Sequence, residues 1–261
     1  MSINQALIAG LQSKLASISF FAAHQLAWVA ETTSTNDDLK RDWQQNYFVP
    51  RIEVADAQTA GRGQYQRNWL NAEPGQCLMF SFSAQEKISC FPRSLLAGVA
   101  LCEAFAAHCE PLPADIWLKW PNDVFMGSRK LAGILTESVA DADCFRMVVG
   151  IGVNMKPLRD SEIASAWVGE FAPNLDRVEL LLRFCQAWGA LHDSSSEQIC
   201  SLWNKYADFS TRAKFRVNIA GQPSFGARIL NLLPDGQLVV ADENGQIKVL
   251  VSATLQLLEL D

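Results

Sequence analysis

A glycine-rich segment in the first third of the chain combines residue types that can hold an anion. Gly61 and Gly63 flank Arg62, and Arg67 and Trp69 follow shortly afterwards. Glycine lets backbone N–H groups approach an anion closely, and arginine supplies directed donors for phosphate or carboxylate. An indole ring can stack on a flat ligand or cover a pocket. This combination predicts a ligand-binding loop, with a surface loop carrying incidental arginines as the alternative.

A Pro-Asn-Asp turn after an apolar stretch supplies a second set of polar groups. Asn122 and Asp123 follow Pro121, and Lys130 lies seven residues beyond Asp123, where the next apolar stretch begins. Hairpin geometry would bring this carboxylate and this ammonium to one site. Together they could hold a magnesium nucleotide and a phosphate. A solvated charge pair on a hairpin turn is the alternative interpretation.

Two glycines inside an apolar stretch, Gly150 and Gly152, form a third candidate. A dinucleotide-binding motif would need another glycine where Met155 stands, and Pro157 blocks the helix that should follow. We therefore reject a Rossmann motif and favour a buried strand whose glycines allow close approach of a ligand or neighbour. Asn154, at the end of this strand, either contacts a base edge or simply terminates the strand.

The elements that must position these residues follow from the periodicity of apolar residues. Helical spacing predicts helices near the N-terminus, after Ser34, after Pro92 and after Asp176, and a Ser194–Glu197 capping box predicts one more. Strand-like patterns cover residues 51–57, 76–83, 116–120, 130–139 and 145–154, the last three as antiparallel neighbours. After Phe209, short β-rich runs alternate with turns, which is typical of a small barrel. We expect two domains, 1–210 and 211–261.

Composition and charge narrow the function classes. The 261 residues are 49% hydrophobic, enough for a real core, and 22 basic against 28 acidic residues give a net charge of −6. Such a chain has no global attraction for nucleic acid or for an anionic membrane. Its seven cysteines include no C-x-x-C pair, so reduced cytosolic thiols are expected, and its three histidines are scattered. With no signal peptide or membrane-length apolar stretch, we expect a cytoplasmic protein without a membrane partner.

The motifs in their order and spacing resemble the biotin protein ligase family over residues 28–155. The motifs that carry the resemblance are Ser34-Thr35-Asn36, Gln58-x-x-Gly61-Arg62-Gly63, Lys119-Trp120-Pro121-Asn122-Asp123, Arg129-Lys130-Leu131-Ala132-Gly133-Ile134-Leu135 and Gly150-Ile151-Gly152-Val153-Asn154-Met155. The resemblance implies an α+β fold with a class II synthetase-like mixed sheet and helices, followed by a small SH3-like β-barrel. Domain 1–210 would be the catalytic domain that binds biotin and ATP, and 211–261 the SH3-like domain.

The same resemblance implies an activity and its partners. The family activates biotin with ATP and Mg²⁺ as biotinyl-5'-AMP. It then transfers biotin to a specific lysine of a biotin carboxyl carrier protein, an acetyl-CoA carboxylase subunit. Only 33 residues precede Ser34, which predicts a short form without the N-terminal DNA-binding domain, and so no DNA partner. The oligomeric state is left open, with a homodimer as one alternative.

The resemblance also implies roles for individual residues. The implied catalytic residues are Arg62, Asp123 and Lys130. The implied biotin-binding residues are Ser34, Thr35, Asn36, Gln58, Arg62, Gly63, Gln64, Trp69 and Lys130. The implied ATP-binding residues are Arg67, Trp69, Asn122, Asp123 and Asn154, with Asn154 contacting adenine; the metal ligands stay unknown.

The chain departs from the family pattern at two places. Gln64 and Gln66 stand where the family often has Arg and Gly. The resemblance therefore does not imply how tightly this loop closes on an adenylate. Val251-Ser252-Ala253-Thr254 replaces a Gly-Glu pair near the last strand, which leaves the contacts of the C-terminal domain open.

Three other functions compete with this interpretation. A lipoate or octanoyl ligase of the same superfamily would share the lysine but should lack the paired motifs around Asp123 and Lys130. A biotin-responsive DNA-binding repressor would need a further domain and a basic surface. A pure binding module built on the C-terminal barrel would leave the upstream cations without a role.

Overall fold

The structure is a computed structural model and describes residues 5–41, 48–64, 67, 69, 73–87, 92–141, 144–158, 164–207 and 213–260. The helices are α1 (Gln5–Ala16), α2 (Thr35–Arg41), α3 (Arg93–Ala106), α4 (Arg177–Leu191) and α5 (Ser196–Tyr206). The strands are β1 (Gln25–Thr32), β2 (Arg51–Gln58), β3 (Cys77–Lys87), β4 (Ile116–Lys119), β5 (Asp123–Met126), β6 (Arg129–Asp141), β7 (Cys144–Asn154), β8 (Ala213–Asn218), β9 (Phe225–Leu232), β10 (Leu238–Asp242), β11 (Ile247–Leu250) and β12 (Thr254–Leu260).

The first seven strands form a mixed sheet in the order β1-β2-β3-β7-β6-β5-β4. Strands β1 and β2 are parallel, and the other neighbouring pairs are antiparallel. The predicted α+β class with a mixed sheet is therefore confirmed, as is the antiparallel pairing of the predicted strands 130–139 and 145–154. The prediction that 116–120 and 130–139 are antiparallel neighbours is wrong, because β5 lies between them and pairs with both. This arrangement places the ends of β5, β6 and β7 that carry Asp123, Lys130 and Asn154 side by side.

Helices α3 and α4 cover the sheet because their apolar residues recur at helical spacing. Ten residues of α3 are buried, and an aromatic cluster joins α4 to β3. Phe184 and Trp188 of α4 contact Phe80 and Phe82 of β3, with ring centroids 4.7–6.2 Å apart. Among the residues that the structure describes, no helix is long and apolar enough to cross a membrane.

The last five strands form an antiparallel sheet in the order β11-β10-β9-β8-β12, consistent with the expected SH3-like unit. This C-terminal sheet shares one continuous core with the first sheet, where Trp117 and Phe215 are in contact. The indole Nε1 of Trp120 also donates to the carbonyl of Gly236 at 3.1 Å. The predicted domain boundary between residues 210 and 211 lies outside the described residues, so the division into 1–210 and 211–261 stays a prediction.

Three local features differ from the sequence-based expectations. Strand β1 was not predicted because it is a half-exposed edge strand, and β5 was not predicted because four residues give too little periodicity. The predicted capping box of the last helix is displaced by one residue. Ser195 and Gln198 form it, because the N–H of Ser194 is used to end the preceding helix at the carbonyl of Leu191.

Candidate active site

A cleft with a volume of about 230 Å³ lies where β3, β5, β6 and β7 meet the beginning of α2, the loop after β2 and the turn before β12. Every residue that the sequence analysis assigned to the site lines it. These residues are Ser34, Thr35, Asn36, Gln58, Arg62, Gly63, Gln64, Arg67, Trp69, Asn122, Asp123, Lys130 and Asn154. The topology therefore gathers segments that are up to 120 residues apart in sequence (34 to 154).

One end of the cleft is a network of neutral hydrogen-bonding groups. Gln58 Oε1 accepts from the Thr35 backbone N–H at 2.8 Å, and the Thr35 hydroxyl lies 2.6 Å from the hydroxyl of Ser81. Ser81 in turn donates to Asn36 Oδ1 at 2.6 Å. Thr35, Asn36 and Ser81 are buried. Such a network can satisfy the hydrogen-bonding groups of a polar, uncharged ring such as a cyclic urea.

The floor of the cleft is made of glycines that leave room for two side chains. Gly133 and Gly152 face each other on adjacent strands, and a Cβ built on Gly133 would lie 2.7 Å from the Trp69 ring. A Cβ on Gly152 would lie within 3.0 Å of three atoms of the same ring, and one on Gly150 would overlap Asn36. The two glycines of β7 thus leave space for neighbouring side chains, Gly152 for Trp69 and Gly150 for Asn36. This is the close approach that the sequence predicted. The buried Nε1 of Trp69 has no hydrogen-bond partner within the described part of the chain.

The other end of the cleft is cationic around one carboxylate. Lys130 Nζ lies 2.6 Å from Asp123 Oδ1, and Lys119 Nζ lies 4.0 Å from Asp123 Oδ2. The predicted hairpin between Asp123 and Lys130 is therefore present. Burial lowers the pKa of Lys119, and the charges of Lys130 and Arg67 lower it further, while Asp123 opposes the shift. These neighbouring cations repel each other, and an anionic ligand would relieve that repulsion.

Sequence reasoning assigned no role to Lys119, although Lys119 opens the Lys-Trp-Pro-Asn-Asp motif. Its position four residues before Asp123 on the β4–β5 hairpin was the available signal.

A chain of ion pairs ties the Arg62 loop to α2 and β6. Arg62 pairs with Asp37, Asp37 lies 2.9 Å from Lys40, and Lys40 lies 2.6 Å from Glu137. Glu137 also accepts from Asn36 at 2.8 Å. Burial alone would raise the pKa of Asp37, but the hydrogen bond and charge of Lys40, and then Arg62, hold this pKa below its ordinary value. Asp37 and Glu137 were not predicted, because single acidic residues next to a motif carry no distinctive pattern.

The two asparagines of the predicted nucleotide end are held by backbone carbonyls. Asn122 Nδ2 donates to Ile134 O at 2.6 Å. Asn154 is 3% exposed, and its Nδ2 donates to Lys130 O at 3.1 Å and Ala166 O at 3.0 Å. In this structure the amide donors of Asn154 are thus taken by the protein rather than free to contact a base.

The C-terminal sheet completes one wall of the cleft. Ala253, Thr254 and Leu255, at the beginning of β12, line it together with Lys119 and Trp120. The departure from the family pattern at residues 251–254 therefore falls on a segment that faces the site.

The donor set in the cleft resembles that of a metal–nucleotide site more than that of a resident metal centre. Within the described part of the chain, no three or more His, Cys, Asp or Glu side chains come together in a way that could hold a metal. Asp123 supplies one carboxylate, and Mg²⁺ is typically held by one or two carboxylates together with substrate phosphates and water. The residues present therefore fit a magnesium ion that arrives with a nucleotide.

Comparisons with known proteins agree with this geometry. The family model described as "Biotin/lipoate A/B protein ligase family" matches residues 28–154. The biotin--[acetyl-CoA-carboxylase] ligase of Mycobacterium tuberculosis is 30% identical over 240 residues, 85% of this chain and 82% of that protein. The bifunctional ligase/repressor BirA of Bacillus spizizenii is 31% identical over 221 residues, 79% of this chain but only 66% of its own length.

A solved structure extends the likeness to most of the fold. The biotin protein ligase from Aquifex aeolicus, in complex with biotin and ATP, matches with a TM-score of 0.71 and 26% identity, over 89% of this chain and 98% of the other. This structural match covers 89% of the chain, whereas the family model covers only residues 28–154. On these grounds the chain belongs to the Biotin/lipoate A/B protein ligase family and, within it, to the biotin protein ligases.

Proposed function

We propose that this protein is an ATP-dependent ligase that activates biotin as biotinyl-5'-AMP. It then transfers biotin to a specific lysine of a biotin carboxyl carrier protein, a subunit of acetyl-CoA carboxylase. The observation that carries the proposal is the cleft itself, in which a neutral polar network and a cationic end around Asp123 share one floor of glycines. The M. tuberculosis relative, named for acetyl-CoA carboxylase, supports the choice of carrier.

The first half-reaction brings two anions together, and the cationic end of the cleft suits it. A carboxylate oxygen of biotin attacks the α-phosphorus of ATP, forming the mixed anhydride and releasing pyrophosphate. Lys130 and Arg62 would hold the carboxylate and the α-phosphate, with Gly63 and Gln64 beside them. Fixed cations stabilise charge that increases in such a transition state because they need not reorganise.

The remaining residues divide between the two ends of the cleft. Ser34, Thr35, Asn36 and Gln58 would bind the ring system of biotin, and Trp69 would cover the ligand. Arg67, Asn122 and Asp123 would bind the nucleotide, Asp123 facing its Mg²⁺. The metal would neutralise phosphate charge when bound.

In the second half-reaction, the amine of the carrier lysine attacks the anhydride carbonyl and AMP leaves. No covalent intermediate on the enzyme is required. Cys77 is close to the cleft through Asn154, but burial raises the pKa of its thiol to about 12. This thiol is therefore protonated at neutral pH and does not act as a nucleophile.

The function is tested by incubating the protein with ATP, Mg²⁺, biotin and an apo carrier domain and weighing the carrier by mass spectrometry. The expected result is the mass gain of one biotin on one carrier lysine, dependent on ATP. A parallel reaction with lipoate and its carrier domain should give no gain. Transfer of lipoate instead of biotin would identify the other branch of the superfamily, and transfer of neither would reject the proposal.

Changing Gln64 to arginine is expected to slow the escape of biotinyl-AMP by up to about tenfold, which corresponds to roughly 1.4 kcal/mol. Gln64 lines the cleft. A guanidinium there adds a charge-assisted hydrogen bond, whereas an amide supplies only a neutral one. The measurements are the release rate of preformed labelled intermediate and stray biotinylation of albumin. Gln186→Arg, on the exposed face of α4, adds the same charge away from the cleft and should change neither.

Three expectations stay predictions: that the protein does not bind DNA, that it is located in the cytoplasm, and that a homodimer is one possible oligomeric state. The net charge of −6 supports the first of them. Retention of a labelled biotin-operon promoter fragment at physiological salt would contradict it. Analytical ultracentrifugation with and without biotin plus ATP would show the oligomeric state.

A further inference from the structure

Helix α2 contributes to both ends of the cleft. Asn36, in its first turn, is buried and belongs to the neutral polar network. Asp37, the next residue, is half-exposed and pairs with Arg62 on the loop after β2. Consecutive residues of a helix point in directions about 100° apart, so this short helix can hold a group at each end. The placement of α2 therefore affects the ring-binding network and Arg62 together.

The orientation of the Asn36 amide is fixed by three neighbours. Its Nδ2 donates to Glu137 Oε2 at 2.8 Å and to Leu135 O at 3.3 Å. Its Oδ1 accepts from the hydroxyl of Ser81 at 2.6 Å. The flipped amide would place its oxygen against a carboxylate and a carbonyl, neither of which can donate. Glu137 thereby turns the amide oxygen of Asn36 toward the polar network.

Lys40 lies between two carboxylates of this region. Glu137 accepts from Lys40 through Oε1 at 2.6 Å and from Asn36 through Oε2. On its other side, Lys40 lies 2.9 Å from Asp37, which pairs with Arg62. The charges thus alternate in sign from Glu137 to Arg62. Isolated surface ion pairs contribute little, whereas several charges in a network contribute more. Without the ammonium group, the like charges of Glu137 and Asp37 would face one another.

The ion pair with Asp37 leaves most of the donors of Arg62 for a ligand. It uses one terminal nitrogen of the guanidinium group, and this group carries five N–H donors in a planar fork. A carboxylate on one edge of the fork fixes its plane, as supporting hydrogen bonds do for residues of a binding site. Because Arg62 also lines the cleft, its remaining donors would meet the reacting carboxylate and phosphate.

We propose that Asp37, Lys40 and Glu137 are positioning residues that link the ring-binding end of the cleft to its reacting end. Glu137 orients the amide of Asn36, and Asp37 orients the guanidinium group of Arg62. Lys40 holds the two carboxylates in place. This inference rests on the proposed biotin adenylation. It implies that the binding of the biotin ring and the placement of Arg62 are energetically coupled.

The central test replaces Lys40 with methionine, which keeps a long side chain and removes its charge. The Kd of biotin, by titration calorimetry, should rise about 3- to 10-fold. The kcat of biotin-dependent pyrophosphate release should fall about tenfold, since a small misplacement of a reacting group costs up to about 100-fold. Lys40→Arg keeps the cation and should restore both quantities to within about threefold of wild type. Rescue by the charge separates positioning from a loss of packing.

A second test asks whether the two carboxylates act through Lys40. Glu137→Gln and Asp37→Asn should each weaken biotin binding and lower kcat in the wild-type background. When Lys40 is already methionine, either change should add less than about twofold, as expected for residues that act as a unit.

Glu179→Gln is the matched control. Glu179 and Arg183 form an ion pair of 2.7 Å on α4, and neither residue lines the cleft. The change removes one carboxylate charge from an ion pair, as Glu137→Gln does. It should leave the Kd of biotin and kcat unchanged.

Three outcomes would overturn the inference. Unchanged Kd and kcat in a folded Lys40→Met protein would show that these ion pairs are surface contacts without a role in the site. Equal losses in Lys40→Met and Lys40→Arg would assign the effect to packing. Additive effects of Glu137→Gln and Lys40→Met would show that the two ends are independent. If Lys40→Met does not fold, Lys40→Gln replaces it with the same expectations.

The proposed function fails separately from this inference. Wild-type protein that releases no pyrophosphate with biotin and ATP would reject biotin adenylation. The biotin affinities of the same variants would still test the link between the two ends, because they require no ATP.

Discussion

Replacing Lys130 with alanine is expected to reduce biotinyl-AMP formation by at least about 10²–10³-fold, the effect of removing one preorganised group from a developing charge. Lys130 Nζ lies 2.6 Å from Asp123 Oδ1 in a cleft where a second lysine is already 4.0 Å from the same carboxylate. Its loss removes the cation that would join biotin and phosphate. Release of pyrophosphate, followed with labelled ATP, is the measurement.

The fold should survive this change, because the backbone hydrogen bonds of Lys130 with Ala164 and Ala166 do not depend on its side chain. Circular dichroism and the melting temperature check this point. Lys205→Ala, on the exposed side of α5, is the matched control and should leave the rate unchanged. Normal pyrophosphate release by a folded Lys130→Ala protein would remove Lys130 from the mechanism.

Adding a single methyl group at Gly152 is expected to weaken binding of biotin and of biotinyl-AMP by more than about tenfold, or 1.4 kcal/mol. A Cβ at this position would lie within 3.0 Å of three Trp69 ring atoms, so the indole must leave the floor of the cleft. Trp69 would then no longer cover the ligand. Its contact with Lys130, whose Nζ lies 5.4 Å from the centre of the indole ring, would also be lost. Titration calorimetry with both ligands gives the affinities.

Gly10→Ala provides a stringent control, because a Cβ there meets nothing within 4 Å. Gly10 lies within α1, so alanine should stabilise the protein by about 0.5–1 kcal/mol and leave affinity unchanged. If Gly152→Ala binds as tightly as wild type, the Trp69 ring is not part of the binding surface.

Much of the site could be predicted because its residues occur in compact motifs. Asp123 and Lys130 are close in sequence on one hairpin, so proximity in the fold followed from local geometry. The two glycines of β7 also indicated close approach, and the structure shows what approaches: Asn36 at one and Trp69 at the other.

The residues that were missed depend on strand register, which no local pattern encodes. Ser81 enters the polar network because it faces Gly150 across β3 and β7, where the absent side chain leaves space for Asn36. Glu137, on β6, accepts a hydrogen bond from Asn36, although the two residues are 101 positions apart in sequence. Such contacts require the register of several strands at once. The backbone hydrogen bonds of Lys130 with Ala164 and Ala166, which lie beyond the end of β7, could not be predicted for the same reason.

Because the C-terminal sheet forms one wall of the cleft, the activity of the protein should respond to heating differently from its secondary structure. Ala253, Thr254 and Leu255 complete the site from the C-terminal sheet, and the bond from Trp120 to Gly236 holds that sheet beside the motif that contains Asp123. Partial opening between the two sheets would dismantle the cleft while most strands and helices persist. Catalytic capacity should therefore disappear some degrees below the loss of far-ultraviolet ellipticity, and saturating ligand should bring the two temperatures together.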